Sequence, residues 1–230
     1  MKSTIKTGLA VILLLAISCK KESAPITDMS SAPALTTDVT EAAQKYPSIK
    51  IHGQQWMTTN LAVTHYRNGD KIPQVRNQAN WNTLTTGAWC WYNNDSATGA
   101  VYGRLYNWYA VHDPRGLAPE GWHIASDSEW HVTGTFLGNT AGGKMKETGT
   151  AHWFDPNVAA TNSSGFTGLP GGYRSTSGQF CYIKYLGLWW TSTEYNISSA
   201  WYRRMLCYSD FLDWWRFPKQ MGFSVRCIRN

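Results

Sequence analysis

Tryptophan governs what this chain can fold into. It holds 13 Trp and 12 Tyr in 230 residues, and every Trp lies between Trp56 and Trp215. Rings of that size need a packed interior or a partner to cover them. Charged residues are only 16% of the chain. Wholesale disorder goes with few aromatics and high charge, so it is excluded. A coiled coil or long helical bundle needs an excess of Ala, Glu, Lys and Leu, and is excluded too. The composition changes once, near Tyr46, with no later break and no internal repeat. Residues 46–230 therefore read as one domain.

The preceding segment has a different character. Lys2 and Lys6 lead into an apolar run, Gly8 to Ile17, too short to span a bilayer as a helix. A basic start, an apolar middle and small residues before a cut describe a secretory signal. Cys19 directly after Leu15-Ala16-Ile17-Ser18 resembles the bacterial lipoprotein signal. That resemblance implies a signal peptide over 1–18, diacylation of Cys19 and a lipid anchor in the outer membrane, facing the periplasm or the cell surface. Loss of Lys2 and Lys6 lowers the formal charge from +6 to +4. No Lys/Arg block remains, so no nucleic-acid partner is expected. Residues 20–45 contain no aromatic, and Ser, Thr, Ala and Pro fill 14 of those 26 positions. Residues 19–45 thus read as a lipid-anchored flexible tether, with an r.m.s. span on the order of 30 Å. Its Lys20-Lys21-Glu22 resembles the charged export tags of some surface lipoproteins of Bacteroidota, or is simply a polar linker.

Within the domain the strand signals are short. Lys50 to Gly53 leads into Gln55 to Leu61. Phe180 to Tyr185, Gly187 to Thr193 and Ala200 to Tyr208 are further candidates, separated by Gly- and Ser-bearing turns. At the C-terminus Phe223, Val225 and Cys227 alternate with Ser224 and Arg226, which predicts one apolar and one polar face. Two helices are predicted. Leu105, Trp108, Tyr109 and His112 recur at three and four, and Asp113-Pro114 stops that segment. The second starts at Ser126-Asp127-Ser128-Glu129, where Ser126 and Glu129 can form a capping box. Trp130, Thr133 and Leu137 follow on one side, and Gly138 suits the C-terminal stop. Short antiparallel strands, two helices and long loops predict an α+β domain.

Six ordered blocks carry a family resemblance. They are Gln55 to Leu61, Tyr102 to Trp108, Gly121 to Trp130, Gly165 to Arg174, Trp189 to Glu194 and Gly222 to Cys227. In that order they resemble the Fibrobacter succinogenes major paralogous domain, over about residues 46–230. The resemblance implies a C-type-lectin-like fold related to the formylglycine-generating-enzyme domain. It further implies that the first and last strands pair and that a loop-rich region carries the binding surface. It brings no settled biochemical function. The chain departs from the family pattern at Ala118, where members often have Cys before the Pro. That puts a disulfide from this position to Cys227 in doubt.

Four cysteines remain in the domain: Cys90, Cys181, Cys207 and Cys227. They allow three pairings, and the strand-like settings of Cys181 and Cys207 make that pair the first expectation. No pair has close ligand spacing for zinc. Nor are two close enough in sequence to resemble the oxygen-activating pair of formylglycine-generating enzymes. Asp127 and Glu129 suit a helix N-terminus, so capping is the stronger reading of the cluster with His123 and His131. Asn93, Asn94, Asp95 and Glu194 offer oxygen ligands that suit calcium, although Asn and Asp are also turn residues. No other cofactor is expected. Neither a Gly-x-Ser-x-Gly nor a His-Glu-x-x-His motif is present, and an enzyme is not expected.

Trp56, Trp108, Trp122, Trp130 and Trp190 sit in family blocks or on apolar helix faces and are assigned to the core. Trp201, Tyr202, Trp214, Trp215 and Arg216 fall outside the shared blocks and mix aromatics with charge. They are the candidate ligand-binding surface, suited to a sugar ring or a protein hot spot. The expected function is recognition of a glycan or protein outside the cell. The alternatives are a structural or adhesive envelope protein without a discrete site and, less favoured, an enzyme related to formylglycine-generating enzymes.

The anchor is directly testable. Replacing Cys19 by Ser should abolish lipid labelling and move the protein out of the membrane fraction. A variant that partitions as the parent does would refute the lipoprotein signal.

Overall fold

A computed structural model describes residues 46–230. The signal peptide, Cys19 and the tether read over 1–45 lie outside the described residues. In chain order the domain runs β1 (Ser48–Ile51), β2 (Gln54–Met57), α1 (Gln78–Asn82), β3 (Trp89–Cys90), α2 (Ser96–Tyr102), β4 (Leu105–Tyr106) and α3 (Trp108–Val111). It continues with β5 (Trp122–Ile124), α4 (Asp127–Leu137), α5 (Ala141–Met145), β6 (Tyr173–Arg174) and β7 (Phe180–Cys181). The last elements are β8 (Leu186–Glu194), β9 (Ser199–Leu206), β10 (Asp213–Pro218), β11 (Ser224–Val225) and β12 (Cys227–Arg229). Helices and predominantly antiparallel sheets mix, so the domain is α+β.

Two four-stranded sheets organise it, in the orders β1-β2-β12-β5 and β10-β9-β8-β11. β1 and β2 form a hairpin whose two turn residues, His52 (φ 44°) and Gly53 (φ 84°), both adopt the left-handed backbone that suits the strand twist. The last strand, β12, closes on β2 of the N-terminal hairpin, with Ile228 opposite Trp56, while its other edge pairs with β5.

The long sheet is covered on both faces at its centre. Side chains alternate across a strand, so the adjacent Trp189 and Trp190 enter different cores. Trp190 packs with Trp108, Tyr202 and Phe223. Trp189 packs with Trp130, Trp153 and Phe166. Burial of both faces explains why β8 reads as a continuous apolar run rather than an alternation. Nine of the 13 Trp are buried, including all five assigned to the core. Most buried indoles place their N–H on an acceptor: Trp56 on Thr133 Oγ1, Trp108 on the Thr191 carbonyl, Trp189 on Asn60 Oδ1 and Trp190 on the Tyr106 carbonyl.

A buried guanidinium joins the two ends of the domain. Arg226, fully buried, donates through Nε to Asn60 Oδ1 (2.8 Å) and through Nη1 to the Met57 and Phe166 carbonyls (2.7 and 2.8 Å). Its Nη2 donates to the Thr167 carbonyl (2.9 Å), and the group lies over the Phe166 ring. Burial lowers its proton affinity, and these four oxygens counter that by favouring the charged form. Asn60 is itself saturated. Its oxygen also accepts from Trp189, and its amide donates to the Tyr102 carbonyl and Ser224 Oγ.

Several sequence expectations need correction. The described residues contain five α-helices rather than two. The segment predicted to be helical from Leu105 is split. Leu105 and Tyr106 form β4, and the Asn107 side chain accepts from both Ala88 N and Ala110 N, capping α3 one residue later. The Phe180–Tyr185 strand ends at Cys181, where Tyr182 turns to positive φ. Ser224 and Arg226, read as the polar face of the terminal strand, are buried like the apolar face. No disulfide joins Cys181 to Cys207: Cys181 pairs opposite Tyr173 in a separate two-stranded sheet, whereas Cys207 follows β9 and belongs to the core around Trp189.

The arginine hub sets an expectation. Arg226→Met keeps much of the volume but strands four buried acceptors, and should cost at least about 3 kcal/mol in chemical denaturation. Arg226→Lys should recover only part of that loss, because an ammonium cannot reproduce the planar fork. A variant Arg226→Met as stable as the parent would remove the hub from the explanation of this fold.

Candidate functional site

A cleft lies between α4 and the β9–β10 hairpin. Its volume is about 370 Å³, and it is lined by Trp130, Gly134, Thr135, Asn139, Arg203 and Trp214 among others. That size falls within the range of small-ligand sites.

Local chemistry fixes its helical wall. Ser126 Oγ accepts from Glu129 N, and Glu129 Oε2 accepts from Ser126 N (2.7 Å), completing the predicted capping box. Gly138, at φ 79°, ends α4. The opposite wall is the segment that joins β9 to β10. Lys146 Nζ, fully buried, donates to the Leu206 and Ser209 carbonyls (2.9 and 2.8 Å) and to Val158 O. Burial pushes its pKa down to about 8. Gly143 N donates to the Asp210 carbonyl at 2.9 Å. α5 can approach this closely because residue 142 is glycine: a Cβ there would stand 2.1 Å from the Phe211 carbonyl oxygen.

A buried guanidinium underlies the aromatic rim. Arg203, 3% exposed, donates through Nη2 to Asp127 Oδ1 (2.6 Å) and to the Asp127 carbonyl. Burial lowers the pKa of Arg203, and Asp127 offsets this. Its guanidinium lies 5.6 Å from the Trp214 ring centroid. Arg203 Nε and Trp130 Nε1 have no hydrogen-bond partner among the described residues. Both nitrogens are sealed from solvent. Trp214 above them is 56% exposed, and Phe211 beside it is equally open.

The residues proposed from sequence divide. Trp214 is on the cleft. Trp215, 57% exposed, is on the other face of the sheet, because it stands opposite Tyr202 while Trp214 stands opposite Arg203. The tandem pair is therefore not one surface. Tyr202 is corrected outright: it is 1% exposed, stacked on Phe217 and packed near Phe223, and burial raises its pKa to about 12. Trp201 is half-buried against Tyr195, and Arg216 lies over the Tyr195 and Trp215 rings. The sequence reading named Trp214, and Arg203 within the run Trp201 to Arg204, but assigned Trp130 to the core and passed over Asn139, Phe211 and Gly142.

The calcium set has other partners. Asn93 and Asn94 occupy positive-φ positions in the turn before α2, and Asn94 donates to the Arg76 carbonyl. Asp95 caps α2, accepting from Ala97 N, Thr98 N and Thr98 Oγ1. Glu194, at the end of β8, accepts from Lys219 Nζ at 2.5 Å. Among the described residues, no group of three or more His, Cys, Asp or Glu is placed to hold a metal ion. His123 and Glu129 are joined at 2.7 Å, and Asp127 belongs to Arg203. No helix among the described residues is long and apolar enough to cross a membrane.

The close approach at Gly142 yields an expectation for the cleft. Gly142→Ala should force α5 and the hairpin apart, lowering stability by about 1–3 kcal/mol and Tm by roughly 2–12 °C. Thermal unfolding of the two proteins side by side reads the difference, and an unchanged Tm would contradict the packing described.

Comparison with known proteins gives one match. Residues 49–229 match the family described as the Fibrobacter succinogenes major domain (Fib_succ_major). No curated protein and no solved structure matches the chain. The family match covers nearly all of the domain that the two sheets and the Arg226 hub enclose, and the chain belongs to the Fibrobacter succinogenes major domain family.

Proposed function

We propose that this protein is an outer-membrane lipoprotein, anchored through Cys19, whose domain is a non-enzymatic recognition module of C-type-lectin-like type that binds glycan in the α4/β10 cleft. The observation that carries the reading is Trp214. It is a half-open indole on the rim of a concave site, beside Thr135 and Asn139. A sugar ring has an apolar C–H face and hydroxyl edges. A flat indole suits the first, and side-chain hydroxyl and amide groups suit the second. The signal over 1–18 and the tether over 19–45 support a position outside the cytoplasm. The closure of β12 on β2 supports the fold type, since the family resemblance implies it.

Glycan-array screening of the purified protein tests this, followed by calorimetric titration of the glycan found. Trp214→Ala should weaken binding at least about 10-fold, equivalent to about 1.4 kcal/mol. Tyr182→Ala, which removes an exposed ring that does not line the cleft, should leave it unchanged. Chelation should also leave it unchanged, since Asp95 and Glu194 are engaged by Thr98 and Lys219. If no glycan binds, or if Trp214→Ala binds as well as the parent, the structural or adhesive reading replaces this one.

A further inference from the structure

We propose that β10 is a self-association edge, through which two copies of this chain pair antiparallel about a two-fold axis. The proposal does not rest on the glycan reading. β10 is the outer strand of its sheet, and no strand among the described residues pairs with its outer side. Natural edge strands are blunted by lysines, inward charges, bulges or proline. β10 carries no lysine, its Asp213 is engaged by Arg204 at 2.8 Å, and its proline comes only at the final position, Pro218. At its centre stand two indoles, each more than half exposed and on opposite faces of the sheet.

The occupant follows from the register. Residues directly opposite each other share a face of the sheet. A two-fold axis perpendicular to the sheet preserves faces, so one residue must lie opposite its own copy. If that residue is Asp213 or Arg216, like charges confront each other, which is unfavourable. If it is Trp214, the pairing runs out of β10 to Leu212. If it is Trp215, the five residues 213–217 all pair. Trp215 then meets Trp215 of the second copy, and Trp214 meets Arg216 twice over. Arg216 is already disposed to stack, lying 4.5 and 4.9 Å from the Tyr195 and Trp215 ring centroids, and a guanidinium against Trp is a favourable pair. The strand is thus complementary to itself in one register. The two four-stranded sheets join into one, and both α4/β10 clefts open on the same side, each with the other copy's Arg216 at its rim.

Sedimentation of the full chain, together with cysteine cross-linking, tests this. The parent should sediment as a concentration-dependent dimer, and Trp215→Lys should raise the dissociation constant at least 10-fold, with the parent's thermal melt at concentrations low enough for both to be monomeric. In the proposed register residue 215 faces its copy at about 4.5–5.5 Å between Cα atoms, within disulfide reach. Residue 214 is offset from its copy by two positions, about 7 Å along the strand, and is out of reach. Oxidised Trp215→Cys should therefore run as a covalent dimer above the parent's background, and Trp214→Cys should stay at that background. A parent that remains monomeric at its highest soluble concentration overturns the proposal. So does cross-linking at 214 in place of 215, or a dimer that Trp215→Lys leaves intact.

Discussion

The fold depends on one charge taken out of water. Arg226 reaches four oxygens from two stretches of chain, Met57 and Asn60, and Phe166 and Thr167, and shares the Asn60 oxygen with the Trp189 indole of a third. A desolvated guanidinium is tolerable only when its donors are matched in geometry. Each acceptor must therefore sit where it does or the whole group becomes a liability. This couples the β1-β2-β12-β5 sheet to the loop before β6 and to the long sheet through polar contacts of fixed direction. Packing alone would permit more than one arrangement of so many indoles, because dispersion and apolar burial have little directionality. The hydrogen bonds to Arg226 and Asn60 select among them.

The same logic runs outward from the centre. Strand β8 lies between two aromatic cores, so its central sequence is apolar on both faces. β10 repeats the tandem Trp pattern of β8 two strands further out, at the edge of the sheet. Trp189 and Trp190 are fully buried, whereas Trp214 and Trp215 are more than half exposed. One local pattern thus has two outcomes, set by position in the sheet. Lys146 performs at the hairpin what Arg226 performs at the centre, holding backbone carbonyls with a buried cation.

Much of this was legible in the sequence where the determinants are local. The Ser126–Glu129 box, Gly138 and the Trp130, Thr133, Leu137 stripe locate α4 closely, and the core tryptophans could be named. Legibility failed where the partner of a side chain is backbone from elsewhere. Alternation marked Arg226 and Ser224 as a polar face but could not show that it is buried, since the carbonyls of Phe166 and Thr167 have no signature in sequence. Tyr202 was placed with Trp201 for its composition, although strand alternation separates them. The cleft was half-visible: Trp214 could be picked out, but not its meeting with Arg203 and Trp130, which depends on the pairing of β9 with β10 and the packing of α4. The cysteine pair failed for the same reason, as neighbouring strands cannot be identified from strand-like segments alone.

The position of the hub in the chain has a temporal consequence. Its Nε and Nη1 bond Asn60 and Met57, 166 and 169 positions earlier in the chain. In a chain made from its N-terminus these acceptors exist long before their donor, and the hub forms only after Arg226 has been added. Until then its oxygens are held by water.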